Sequence, residues 1–588
     1  MAALPSDKLD RFLPHWMRTF VRARESGLAI AGLVVGLVSG VLVGLIANGA
    51  QLAHELLFNL GPDERLSAQM HLEPLRALAV PVTGGLLLAL VVWLFGARLK
   101  DQMADAIEAN ALQGGRLRLG GSLYITVQTF ISNACGASVG LEAAYTQVCG
   151  ALASVLGRGL AARRSDMRLL VACGAAGAIA AAFGAPLAGA FYAFEVVLGA
   201  YAVASLVPVM TSAIVASFAV NLVAHQHGPL PVMAEFHAPV GAFFGHVMIL
   251  GALCALGAIL LMQGVAWAER LFSHKRLPVF LRPALGGLLV GGFGLITPQV
   301  LGAGHGAFQL NLTQSVPLAM LASVLVLKGV ASAISLGSGF RGGLFFASLL
   351  IGGLLGRFYA EGVSQLTPYA FPAGLAAITA MAAFGTGVLG APISMSVLAL
   401  EMTGDFSVTV AALAASVLSA LIVRETFGYS FATWRFHLRG EAIRGPHDVG
   451  WIRDLNVARL MSKDLRTLPA DVSMGVARDM FPSGTTRQMM VVDGQGRYVG
   501  LIPSESLHGA PEARAHQPVS ELVGQQETFL LPDMNIREAL DLFEKAETDA
   551  LAVLDGNDSR QLVGLVTESH ALRRYGEALE RRNREFAR

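Results

Sequence analysis

Residues 28–47 and 77–95 are each long enough to cross the hydrocarbon core of a bilayer, and neither holds a charged side chain. Apolar segments of this kind recur to about residue 423. In hydrocarbon every backbone N–H and C=O must find a partner inside the protein, which leaves packed helices as the solution for runs of this length. Composition agrees: of 588 residues 54% are hydrophobic and only 14% charged, too little charge to cover a soluble surface of this size. The sequence therefore reads as a multi-pass membrane protein. Because apolar segments continue far into the chain, the first is not read as a cleaved signal peptide. The residues before 28 are basic and amphipathic (Arg11, Arg18, Arg22, Arg24), which suits a cytoplasmic surface. We expect a bacterial inner membrane with both termini cytoplasmic.

The formal net charge of +1 points to no class of partner, and no nucleic-acid binding is expected. The four cysteines (Cys135, Cys149, Cys173, Cys254) all lie in apolar segments at spacings that suggest neither a metal site nor a disulfide framework. They read as small buried hydrophobes.

The chain divides near residue 440. Before it, segments rich in Gly and Ala are closely spaced, and small residues let membrane helices approach. Segments 136–150 and 337–352 look too Gly-broken to be simple spans. Such breaks are tolerated at membrane depth only where protein or a water-filled cavity surrounds them. A repeat is visible: "FGAPLAGAFYAFE" (183–195) aligns without gaps on "LGAPISMSVLALE" (389–401), about 200 residues apart. Duplication with broken helices is a pattern of transporters whose site lies at the repeat interface. After 440 charge becomes frequent and apolar runs shrink to strand length. "MMVVDGQGRYVGLI" (489–502) resembles "LAVLDGNDSRQLVGLV" (551–566): two β-type runs around an Asp-Gly turn, each preceded by a helical pattern, 474–480 and 536–543.

One carboxylate stands out. From 119 to 157 the only ionisable Asp, Glu, Lys, Arg or His is Glu142, in "GLEAAYTQ". A charge at membrane depth is costly and is usually kept for an ion path.

"AAFGAPLAGAFYAFE", "GLEAAYTQ", "GGLFFASLLIGG" and "GAPISMSVLALEMTGDF" together resemble the CLC family of chloride channels and chloride/proton exchangers. The tail resembles the paired CBS domains that accompany many members. The resemblance implies an all-α polytopic membrane domain of two inverted repeats with broken helices, followed by a soluble α/β CBS pair. The implied divisions are an N-terminal segment 1–27, a membrane domain 28–440 with halves about 28–225 and 240–430, and CBS domains at 451–508 and 516–575. It implies a homodimer in lipid that passes chloride or another small anion, with helix N-termini aimed at the ion. Open N–H groups and the helix dipole can hold an anion without a full positive charge, and a full cation would bind too tightly for conduction. The absence of Lys and Arg from 119–157 and 169–224 fits that expectation.

By this resemblance Glu142 is the gate, with Gly140 matching the family and Leu141, Ala143 and Ala144 replacing its Arg and Gly-Pro. Leu344 and Phe345 would present backbone N–H groups, while Phe346 and Ala347 stand where the family has Ala-Pro. Three positions depart. The family's filter serine falls on Gln102 or Met103, depending on a one-residue choice of alignment. Its central tyrosine falls on Ala432, beside Tyr429 and Phe431. The second glutamate of its Glu-Glu pair, which relays protons in exchangers, is Val196 after Glu195. Valine carries no proton, which favours a channel over the alternative, a chloride/proton antiporter. A further alternative is a non-conducting membrane sensor or scaffold. Glu195 and its repeat mate Glu401 read as packing or capping residues. In the CBS pair Gly564 and Thr567 keep part of an adenine-nucleotide signature, but His570 replaces its ribose-binding Asp. No cofactor is required by this reading. No nucleophile–base pair, metal cluster or phosphate loop is apparent, so an enzyme is not expected.

Overall fold

The computed structural model describes residues 25–62, 64–99, 103–223, 243–274, 277–314, 316–366, 371–428, 455–484, 488–546, 548–556 and 559–587, together with Pro14, Val21, Ser430, Phe431 and Trp434. The chain forms two units, Met1–Asp448 and Val449–Arg588.

The first unit is helical. Its first half runs α1 (Glu25–Phe58), α2 (Pro74–Leu99), α3 (Ala106–Leu112), α4 (Leu119–Ala134), α5 (Glu142–Gly159), α6 (Arg164–Phe183), α7 (Pro186–Tyr192) and α8 (Val203–Ala219). The second half runs α9 (Phe244–Phe272), α10 (Arg282–Ile296), α11 (His305–Thr313), α12 (Leu318–Ser338), α13 (Phe345–Leu366), α14 (Ala373–Leu389), α15 (Pro392–Thr403) and α16 (Phe406–Thr426). Among the described residues eight helices are long and apolar enough to cross a membrane. All four cysteines are buried among them.

Small residues set the helix spacing. Gly32, Gly36 and Gly40 recur one turn apart on α1, and a Cβ at each would lie 2.6, 2.3 and 2.5 Å from the carbonyl oxygens of Pro208, Ser212 and Ala216 on α8. Any side chain there would push α8 away.

The sequence repeat is a helix stop followed by a helix start. Gly184 (φ +65°) ends α6 and Gly390 (φ +77°) ends α14, both in the left-handed region where glycine costs nothing. Pro186 and Pro392 then open α7 and α15, where a missing N–H is harmless. The repeat glutamates complete the pattern reciprocally. Glu401 accepts from the N–H of Leu187 and Ala188 at 2.7 and 2.8 Å, at the start of α7. Glu195 accepts from the N–H of Ile393 and Ser394 at 3.0 and 2.8 Å, at the start of α15. Each glutamate sits toward the far end of its own copy and caps the beginning of the other, so the two copies run antiparallel. Glu195 and Val196 lie in a π-helical continuation of α7, Ala193–Leu198.

The expected breaks are present: α4 stops at Ala134 and α5 starts at Glu142, while α12 stops at Ser338 and α13 starts at Phe345.

The second unit contains α17 (Val457–Leu460), β1 (Thr467–Pro469), α18 (Met474–Met480), β2 (Gln488–Val492), β3 (Tyr498–Pro503), α19 (Ser504–Gly509), α20 (Ile536–Ala546), β4 (Ala550–Leu554), β5 (Leu562–Thr567) and α21 (Glu568–Ala587). β2 pairs antiparallel with β3 and parallel with β1; β4 pairs antiparallel with β5. Both hairpins carry a bulge at the same place, at Val491/Val492 and at Val553/Leu554, and the predicted Asp turns follow. Asp493 accepts from the N–H of Gln495 and Arg497, both at 2.8 Å. Asp555 accepts from the N–H of Gln561 at 3.0 Å. Met490, Tyr498, Leu501, Ala552 and Leu554 form one apolar cluster that joins the copies.

Candidate functional site

The two breaks meet. Gly140 N–H donates to Gly343 O at 2.9 Å and Gly343 N–H donates to Gly140 O at 3.1 Å. This small bridge brings the N-termini of α5 and α13 together. The first helical bond of α5 is Tyr145 N–H to Leu141 O, and that of α13 is Ser348 N–H to Leu344 O. The N–H groups of Leu141, Glu142, Ala143 and Ala144 precede the one. Those of Leu344, Phe345, Phe346 and Ala347 precede the other. Two open first turns thus face one region, an arrangement that favours an anion. Of the predicted pathway residues, Gly140, Leu141, Ala143, Leu344 and Phe345 are brought together here.

Irregular backbone at this depth needs partners, and short polar side chains supply them. Asn133 donates to Val139 O at 2.9 Å. Ser138 N–H donates to Ser335 Oγ at 3.0 Å, and Arg341 N–H donates to Ser132 Oγ at 3.0 Å.

Glu142 is the first residue of α5 and is only 5% exposed. Its own N–H, the N–H of Phe346 and the Lys328 ammonium all act on the carboxylate. Oε2 has no hydrogen-bond partner among the described residues. A Cβ at Gly140 would lie 1.9 Å from this oxygen, so glycine there leaves the room that the carboxylate occupies.

Lys328 was not among the residues expected from the sequence, which anticipated a path without full cations. It lies on α12, wholly buried, and donates to Val300 O at 3.1 Å and Gly302 O at 2.8 Å. The loop that wraps it is tied to the first break by Gly302 N–H donating to Gly136 O at 3.1 Å. The signal that found Glu142 applies equally here: Lys328 is the only charged residue between 306 and 340.

Above the carboxylate opens a cavity of about 1120 Å³, lined among others by Glu142, His54, Arg65, Gln51, His305 and Phe346. His305 stacks on Phe346 with ring centroids 3.7 Å apart. His54 Nε2 pairs with Asn133 O at 2.8 Å. On the other side, Met103 leads into Asp105, which caps α3 by accepting from Glu108 N–H at 2.7 Å. Gln147 of α5 holds this loop by donating to Ala104 O at 2.7 Å. Gln102, Tyr429 and Ala432 lie outside the described residues. Val196 is buried, and its neighbour Glu195 is occupied as a cap.

In the second unit a Cβ at Gly564 would meet Met461 Sδ at 2.6 Å, so packing alone requires this glycine. Thr567 ends β5 opposite Ala550.

The fold and the site define a class: a polytopic membrane protein of two antiparallel repeats whose broken helices converge on a buried carboxylate. The comparisons narrow it. The profile of the family described as "Voltage gated chloride channel" matches residues 84–424, and that of the CBS domain matches 456–510 and 519–577. The chain belongs to this CLC family of voltage gated chloride channels and carries a CBS pair. It is 33% identical over 407 residues to a ClcB-like chloride channel protein of Ralstonia nicotianae, covering 68% of this chain and 94% of that one. It is 30% identical over 399 residues to the voltage-gated ClC-type chloride channel ClcB of Escherichia coli O17:K52:H18, covering 66% and 94%. Its fold is similar to that of a slow cyanobacterial Cl−/H+ antiporter (TM-score 0.61, 22% identity, 70% of this chain and 97% of that one). It is also similar to a eukaryotic CLC transporter (TM-score 0.59, 17% identity, 94% and 98%).

Proposed function

We propose that the protein passes chloride or a similar small anion across a membrane, as a channel, with Glu142 as the gate. The observation that carries this is the meeting of two open helix N-termini around one buried carboxylate. A carboxylate resembles the anion it excludes. Seated, it fills the anion position between the two first turns; protonated or swung into the cavity above, it leaves those N–H groups to the ion. Gly140, Leu141, Ala143, Leu344 and Phe345 shape the path by their backbones, and Met103 stands at its other end. Chloride passage agrees with the named relatives.

The channel mode rests on Val196. A proton relay at depth needs a titratable side chain, and Glu195 beside it is committed to Ile393 and Ser394. Coupled exchange with protons is the second reading, favoured by the fold's likeness to a Cl−/H+ antiporter.

The CBS pair serves as a regulatory module. Adenine-nucleotide binding there is carried by Thr567 alone, since Met461 accounts for Gly564. The basic α5–α6 connection (Arg158, Arg163, Arg164, Arg168) supports a cytoplasmic placement for that side of the membrane. Exposed apolar side chains on α8 and α16, among them Val203, Val207, Phe218, Phe406 and Val417, suit a homodimer in lipid.

Chloride efflux from proteoliposomes tests the proposal. Efflux that Glu142→Gln accelerates or frees from pH supports it; no efflux from either protein refutes it.

A further inference from the structure

We propose that the Tyr192 hydroxyl is a donor to the permeating anion and helps to decide which anions pass. This deepens the anion-transport reading and rests on it.

Tyr192 is the last residue of α7 and is 8% exposed. Its ring lies 5.8 Å, centroid to centroid, from Phe345, the first residue of α13. Phe345 in turn lies 4.6 Å from Phe183, which lines the cavity with Glu142. The phenol therefore stands beside one of the two open helix N-termini. Asp105 of the loop after Met103, and Glu142, are the charged groups that act on it.

The hydroxyl makes no hydrogen bond to a described residue. A passing anion would supply an acceptor to this hydroxyl. The fold itself does not call for the oxygen: the position related to Tyr192 by the internal repeat is Leu398, which is 1% exposed and does the packing without it. The chain also lacks a serine at Gln102 or Met103 and a tyrosine at Ala432, where the family resemblance would place the side-chain hydroxyls. Tyr192 brings a hydroxyl to the same path from a different helix.

The test is Tyr192→Phe in the full-length protein, which keeps the ring and its packing on Phe345. Fluxes of chloride, bromide and nitrate are measured one at a time in proteoliposomes, with internal pH recorded. A hydrogen bond to a charged group is strong enough that its loss should shift the chloride-to-nitrate flux ratio by about fivefold or more. Unchanged ratios overturn the proposal, whether the fluxes stay equal to wild type or all slow together, because a packing role does the latter. Loss of coupled proton movement with unchanged ratios also overturns it and assigns Tyr192 to proton transfer. Should the wild type pass no anion, the transport reading fails by itself, and calorimetric chloride binding still decides. Weaker binding by Tyr192→Phe supports the donor role; equal binding refutes it.

Discussion

Glu142 and Lys328 are both buried, and the ammonium and the carboxylate act on each other electrostatically. Lys328→Met should lower the thermal unfolding midpoint in detergent, because Val300 O and Gly302 O lose their donor. Adding Glu142→Gln should restore part of the loss, because the pair is coupled; a strictly additive double variant would contradict this. Gly140 gives a second prediction. Its Cβ would occupy the space of Glu142 Oε2, and its φ is not in the left-handed region, so Gly140→Ala can be accommodated only by moving the carboxylate. The variant should show the raised, pH-insensitive flux expected of Glu142→Gln in the proteoliposome assay. At this scale the sequence was partly legible. A lone carboxylate in an apolar run pointed to the residue at which the two helix N-termini meet. Lys328 carried the same signal, but nothing local shows that carbonyls of residues 300 and 302, distant in sequence, will wrap an ammonium. Tyr192 gave less: a tyrosine in a buried helix reads as packing until its neighbours are known.

Elements were more legible than side chains, because the repeat fixes them twice. "FGAPL" and "LGAPI" each encode a left-handed glycine stop and a proline start, and the structure places α6–α7 and α14–α15 around them. The two glutamates cap each other's helices, so each interaction can be tested separately. Glu195→Gln and Glu401→Gln should each cost up to about 2 kcal/mol by weakening a carboxylate at a helix N-terminus. Both should lower the unfolding midpoint and leave anion flux ratios unchanged; an altered ratio in Glu195→Gln would show that this residue does more than cap. Gly36 makes the same point for packing. Gly36→Leu places a branched side chain against Ser212 O and should abolish recovery of folded protein in size-exclusion chromatography, whereas the same change at Gly245, which has open space, should be tolerated. The tail follows the same logic. Its Asp-Gly turns were readable as hairpins, and Asp493 is held below the ordinary carboxylate range, first by the Arg497 N–H, then by the Gln495 N–H and the Arg497 guanidinium. A depressed folded value means that this support is present above the unfolded value of about 4 and is lost as pH falls through the folded one. The protection of the Gln495 and Arg497 amides, taken relative to the intrinsic exchange rate at each pH, should accordingly fall in acid and persist near neutrality.

For the whole molecule, duplication explains why a site exists at all. Two antiparallel copies bring two broken helices to one point, each presenting open N–H groups that neither copy could satisfy alone. Lipid cannot serve those groups, and the Glu142 carboxylate is placed to accept from them. The most direct measurement is chloride flux from proteoliposomes with internal pH recorded, for wild type and Glu142→Gln. A chloride gradient is imposed and proton movement is followed. Chloride flux is expected in both proteins, without uphill proton movement, and with pH dependence only in the wild type. Uphill proton movement driven by chloride would contradict the channel mode drawn from Val196. A Glu142→Gln protein with wild-type flux and wild-type pH dependence would contradict the gate itself.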